Sequence, residues 1–213
     1  TPSSYENGLI TNGNASKFIE LEVGDSFDIW FSRAWQAVDS ITSNQYIDPD
    51  RHFYVLSGDS VNVDKFGAVT AVKEGVTVVA MTYDAMVSKN ELYGAVDPDK
   101  VAVFVFSVGG TKDGLDIGIN LSDLQTFYIG KTITVDGTDT VIKNDSYKYT
   151  FNPTTTTEDE IKVSVATVKG YPTPTMSQWK NYTKNSDGTF TIDLYSGRNI
   201  VKVTAGDAES YYV

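Results

Sequence analysis

The sequence predicts an all-β chain arranged as two consecutive β-sandwich domains. Three observations carry that expectation. Short runs rich in Val, Ile, Thr, Tyr and Phe alternate apolar with polar residues, the period of a strand that buries one face. Gly, Asp, Asn and Pro separate these runs, which is the punctuation of a sandwich rather than of βαβ units. No window keeps apolar residues at i, i+3, i+4 and i+7 across three turns, and only "TSNQYID" and "LSDLQTF" have the makings of a helical turn.

In chain order, "KFIELEV" and "DSFDIWFSRAW" form the first two strands and "HFYVL" the next. The stretch "VDKFGAVTAVKEGVTVVAMTY" holds Gly67 after "DKF" and Gly75 after "KE", where a tight hairpin turn needs a residue at ease with positive φ. From Gly75 the alternation sends Thr77, Val79, Met81 and Tyr83 to one face and Val76, Val78, Ala80 and Thr82 to the other, so both faces suit burial. Val63, Val69, Val72, Val79 and Met81 are the expected core residues. "KVAVFVFSV" is the last strand of the first half, and Gly109-Gly110 has the flexibility of a domain end. The expected domains are therefore 1–110 and 111–213.

Beyond "TKDGLDIGINLSDLQTFYIG", where alternation weakens, come "KTITVDG", "YKYTFNP", "EIKVSVATV", "GTFTIDLY" and "NIVKVTAG". The run Thr154 to Thr157 suits a loop or a strand start. Asp187-Gly188 is an expected hairpin turn, Phe190, Ile192 and Leu194 alternate inward, and Gly197 turns the chain into a final hairpin or meander. The ending "SYYV" suggests that a strand continues.

At 213 residues each half has enough chain to bury its own core. The formal charge of −11 is unevenly placed: residues 1–110 carry 7 basic and 15 acidic side chains, and residues 111–213 carry 10 and 13. Phosphate backbones and anionic lipid surfaces should repel such a chain, so nucleic acid is not an expected partner. The absence of cysteine removes disulfides, thiolate catalysis and cysteine metal sites, and points to a bacterial extracellular domain. No apolar run approaches the roughly 18 residues of a membrane helix. "TPSSYENG" is not a signal peptide. The expectation is an exported protein whose leader has been removed, or a monomeric piece of a longer multidomain chain.

The residues Val63, Gly67, "VTAVKEG" from Val69 to Gly75 and "VTVVAMTY" together resemble the bacterial immunoglobulin-like domain, group 2, a module found in tandem in invasin-like and intimin-like adhesins. "IELEVGDSFDI", from Ile19 to Ile29, is similar to the family's opening strand, Gly-Asp turn and next strand, and "SGDSVNVD" to its serine-rich approach. The resemblance covers roughly Phe18 to Val108. It departs from the family pattern at Phe53 and Tyr54, where a tryptophan is common, and in a longer insert from Met86 to Asp99. The second half resembles another Ig-like surface module. The resemblance implies two tandem Ig-like β-sandwich domains and a non-enzymatic structural or adhesive role at the cell surface, as a rigid spacer or in presenting a binding surface to a host or cell-surface protein or glycan.

Catalytic constellations are poorly represented. A Ser-His-acid triad must use His52, the single histidine, yet no G-x-S-x-G elbow accompanies it, and "DRHFYV" has the look of strand entry. "SVGGTKDG" lacks the spacing and the helix of a phosphate-binding loop. Paired carboxylates for glycoside hydrolysis leave no mark in sequence. Calcium is the better chemical candidate, because turns offer carboxylate and carbonyl oxygens: Asp48 and Asp50, Asp97 and Asp99, and Asp113 and Asp116 are the candidate ligands, although none sits in an EF-hand pattern. A lysine-to-Asn/Asp isopeptide bond would replace the missing disulfides. Aromatic rings stack on sugars, which makes a carbohydrate-binding module the alternative function. Trp30 and Trp35 flank a strand, and Trp30 fits a core position of the first sandwich; Trp179, in "SQWKNY" with Tyr182, is the candidate glycan platform.

Overall fold

The structure is a computed structural model that describes residues 17–29, 51–83, 101–110, 113–119, 132–135, 138–141, 146–195 and 197–213. It is all-β, with no helix among the described residues. Trp30, Trp35, both candidate helical turns, Asp48, Asp50, Asp97, Asp99 and the Met86–Asp99 insert lie outside them. The chain divides into two compact units, one of Thr1–Thr111 with Gly170–Thr175 and Val213, the other of Lys112–Lys169 and Met176–Tyr212.

The first unit contains β1 (Lys17–Leu21), β2 (Ser26–Asp28), β3 (Arg51–Ser57), β4 (Val61–Val63), β5 (Ala68–Ala71), β6 (Gly75–Tyr83) and β7 (Val101–Val108). One sheet runs β1-β7-β6-β3 and the other β2-β5-β4. Their facing residues share one core: Ile29, Val61, Val69 and Ala71 meet Val79, Met81, Ala102, Phe104, Phe106 and Val108, with Ile19, Leu21, Phe27, Phe53 and Val63 packed against it. Two stacked sheets around one apolar layer is a β-sandwich. Each fully buried Phe or Met contributes on the order of 2–3 kcal/mol through apolar area removed from water. The expected alternation along β6 holds, and both faces are buried: Val79 and Met81 on one, Val78, Ala80 and Thr82 on the other, beside an equally buried β7.

Gly67 closes a tight hairpin, β4 to β5, at φ +89°: its N–H donates to the Asp64 carbonyl at 3.1 Å and the Asp64 N–H to the Ala68 carbonyl at 3.0 Å. The Asp64 carboxylate also accepts the N–H groups of Phe66 and Ala68. Gly75 corrects the expectation. β5 belongs to one sheet and β6 to the other, so "VKEG" is an arch across the sandwich, not a second hairpin. Val72 is a further correction, being 41% exposed. With Val69 and Ala71 pointing inward, the period of two turns Thr70 and Val72 outward.

The second unit comprises β8 (Leu115–Asp116), β9 (Thr132–Val135), β10 (Thr138–Val141), β11 (Ser146–Phe151), β12 (Thr154–Thr155), β13 (Ile161–Lys169), β14 (Thr175–Met176), β15 (Lys180–Tyr182), β16 (Phe190–Tyr195), β17 (Arg198–Ala205) and β18 (Ala208–Tyr212). The main sheet runs β14-β13-β17-β18, with β15 also on β13; β11 pairs with β16, β12 with β8 and β10 with β9. Phe151 of β11 and Phe190, Ile192 and Leu194 of β16 pack on Val163, Val165, Val201 and Val203 of the main sheet. The inward alternation expected of Phe190, Ile192 and Leu194 is present.

The turn at Asp187-Gly188 forms, with Gly188 at φ +89° and the Asn185 N–H donating to the Thr189 carbonyl at 2.7 Å. It joins β15 to β16, which lie in different sheets, and so is not the turn of a paired hairpin. Gly197 likewise carries the chain between sheets. The final hairpin is β17 to β18, turning at Gly206-Asp207 with Ala205 opposite Ala208.

Candidate functional site

Trp179 lies between β14 and β15 and is half-buried. Its ring sits 6.4 Å from that of Tyr211, and the Lys202 ammonium stands 5.6 Å from its centroid, within reach of a cation–π attraction. Lys202 alternates with the core residues Val201 and Val203, which places Trp179 on the outer face of the main sheet. Tyr211, opposite Lys202 on β18, is only 5% exposed and donates its hydroxyl to Glu209 at 3.4 Å. Burial, reinforced by the Glu209 carboxylate, pushes its phenol well above the usual tyrosine range, so the hydroxyl keeps its proton and serves as a hydrogen-bond donor.

Tyr182 occupies the other face. It pairs with Val163 and packs against the core of the second unit. Its hydroxyl accepts the Asp193 N–H at 3.2 Å, and the Lys180 ammonium lies 4.9 Å from its ring centroid. Trp179 and Tyr182 are therefore not brought together as one platform. What the outer face offers is the half-exposed indole with the Lys202 ammonium beside it.

Around Tyr182 is an ion cluster that the sequence did not single out. Asp193, projecting outward from β16 between the buried Ile192 and Leu194, accepts from Lys148 at 2.9 Å and from Lys180 at 3.2 Å. Lys148 comes from β11, directly opposite Asp193, and Lys180 from β15 on the other sheet. The hydrogen bond from Lys148, reinforced by Lys180, holds the Asp193 carboxyl below the usual carboxylate range, and the bond to Asp193 raises Lys180. Tyr182 and Lys180 thus tie β15 to β16 across the edge of the sandwich. Only the strand register could have revealed this.

The remaining candidates are dispersed. Asp116 accepts the Gly118 N–H at 2.9 Å, and Asp113 is exposed in the turn before β8. Among the described residues, no three His, Cys, Asp or Glu side chains are grouped to hold a metal ion. His52 is exposed on β3. No helix among the described residues is long and apolar enough to cross a membrane.

Other polar groups the sequence did not flag are engaged with one another. Ser60 and Thr77, 1% and 0% exposed, bond through Ser60 N–H to Thr77 Oγ1 at 2.8 Å and between their hydroxyls at 2.6 Å. The Ser60 carbonyl accepts from Val72 and Lys73, pinning the arch that enters β6. No protein-family model matches this chain, and no curated protein matches it in sequence.

Proposed function

We propose that the chain is a non-enzymatic structural or adhesive module of a bacterial cell-surface or secreted protein, acting as a rigid spacer or presenting a binding surface. Its first unit is read as an Ig-type sandwich: β2-β5-β4 facing β7-β6-β3 follows the B-E-D and G-F-C sheets of that fold. In the second unit, β11–β16 facing β15-β13-β17-β18 parallels strands B-E and C′-C-F-G. Fold alone does not give function. The observation that carries the proposal is where the polar side chains go: Asn199 with Tyr195 and Thr167, and Asp193 with two lysines, join strand to strand, and Ser60, in the bend before β4, is bonded to Thr77 of β6. Such bonds stiffen a scaffold.

A second reading, a carbohydrate-binding module, is favoured by one feature, the half-exposed Trp179 beside Lys202 on the outer face. A glycan array and a panel of extracellular proteins, probed with the chain and with Trp179→Ala, separate the two. A spacer binds nothing in either form, and an adhesive module binds a protein whether or not Trp179 is present. Glycan binding abolished by Trp179→Ala overturns the proposal in favour of the second reading.

A further inference from the structure

An Asp-Gly bond is a chemical weak point, because glycine has no side chain to keep its nitrogen off the preceding carboxyl. The sequence holds three: Asp113-Gly114, Asp136-Gly137 and Asp187-Gly188. The second lies outside the described residues. In the reaction the Gly nitrogen bonds to Cγ of the protonated Asp carboxyl, whose OH leaves as water with the amide proton, and a cyclic imide forms. Water then reopens the imide. Attack at Cγ restores aspartate, and attack at the main-chain carbonyl leaves isoaspartate, with the chain running through the side chain.

The step needs a carboxyl that can take up a proton and an amide nitrogen that can swing onto it. The turn at Asp187 withholds both. Asp187 Oδ1 accepts the Thr189 N–H at 3.0 Å and the Thr189 hydroxyl at 2.6 Å, and these bonds hold the carboxyl below the usual carboxylate range. The Gly188 N–H is held by the Asn185 carbonyl at 3.0 Å. Asn185 Nδ2 donates to Thr189 Oγ1 and to Thr191 Oγ1, each at 3.0 Å, which fixes the Thr189 hydroxyl in place. Asp113 is differently set. It is exposed at the start of its turn, and among the described residues neither its carboxylate nor the Gly114 N–H has a hydrogen-bond partner.

We propose that Asp113 is a site of spontaneous isoaspartate formation in the folded protein, and that the hydrogen bonds of the 185–189 turn close the same route at Asp187, with the Thr189 hydroxyl as the positioning group. The extra backbone methylene would fall just before β8, where the Gly114 carbonyl accepts the Thr156 N–H at 2.9 Å and Leu115 packs on the core of the second unit. Ageing at Asp113 therefore works against the pairing of β8 with β12.

The test incubates the full chain in water labelled with heavy oxygen at neutral pH. Each reopening of an imide adds one labelled atom, read by mass in the peptide carrying the site, and chromatography separates the isoaspartyl form. Uptake at Asp113 should exceed that at Asp187 by about tenfold or more, the factor that one charge-assisted hydrogen bond sets on a rate. In guanidinium chloride the two rates should converge, since each site is then a bare Asp-Gly bond. Equal rates in the folded chain, faster uptake at Asp187, or a difference that persists in denaturant overturns the proposal. Thr189→Val should raise uptake at Asp187 alone, and Thr189→Ser, which keeps the hydroxyl, should match the parent. A Thr189→Val chain with Asp187 unchanged, or with both sites raised, overturns the role given to that hydroxyl.

Discussion

The side-chain amide of Asn199 closes on both backbone groups of Tyr195: Oδ1 accepts the Tyr195 N–H at 3.0 Å, and Nδ2 donates to the Tyr195 carbonyl at 2.8 Å. It substitutes for a strand partner at the point where the chain passes from β16 to β17, and the Thr167 hydroxyl donates to the same Oδ1 at 3.1 Å. Asn199→Ala removes all three bonds and leaves the part-buried Thr167 hydroxyl without this acceptor. The expected loss is about 1–3 kcal/mol of unfolding free energy in urea titration. Asn199→Asp retains the acceptor but loses the donor, and should fall between the two.

Gly67 and Gly188 share the same φ, +89°, but not the same surroundings. A Cβ at Gly67 would meet the Ile29 carbonyl at 2.6 Å and the Phe53 ring at 2.7 Å, whereas one at Gly188 meets nothing within 4 Å. Gly188→Ala should cost only the left-handed backbone term, about 1–2 kcal/mol. Gly67→Ala adds overpacking, typically about 1–3 kcal/mol more. Denaturant midpoints of the two variants measure the difference; equal costs would mean that the β4–β5 turn yields freely.

Thr77 Oγ1 serves two groups of Ser60, the backbone N–H and the hydroxyl. Thr77→Val keeps the shape but strands both in a buried site, with an expected cost of about 2–3 kcal/mol. Ser60→Ala leaves the backbone bond in place and should cost less. The double variant should cost less than the sum of the singles, because the hydroxyl–hydroxyl bond is lost only once. Additive costs in a double-mutant cycle would contradict the coupling.

How much of this was legible beforehand depended on whether one strand's own alternation was enough. Phe190, Ile192 and Leu194, and the two buried faces of β6, follow from spacing alone. Sheet membership does not: "DKFG" closes a hairpin and "VKEG" an arch, because a positive φ lets the chain turn without saying which strand it will pair with. β4 has three residues set among turn formers, too few for a pattern. Parity could have warned about the aromatic candidates, since a separation of three in extended chain puts Trp179 and Tyr182 on opposite faces. The Asp193 cluster was hidden for another reason. Its partners come from β11 and β15, and no local pattern joins three strands.

That cluster sets a pH dependence. The Lys148 and Lys180 ammonium groups hold the Asp193 carboxyl below the unfolded carboxylate value of about 3.9. A group with a depressed folded-state pKa binds its proton first in the unfolded chain, so its contribution is complete above about pH 4 and is lost as pH falls through the folded value. Asp193→Asn removes the charge, yet keeps the backbone N–H that bonds Tyr182. The variant should be less stable than the parent at neutral pH, and the gap should close as acid protonates Asp193. The side chain of Asp193 is 16% exposed against 74% and 54% for its lysine partners, so added salt should narrow the neutral gap without abolishing it. Urea midpoints at pH 7 and at successive points below pH 4 follow both effects. A gap that stays constant into acid would show that Asp193 acts through packing alone, leaving the latch between β15 and β16 to Tyr182.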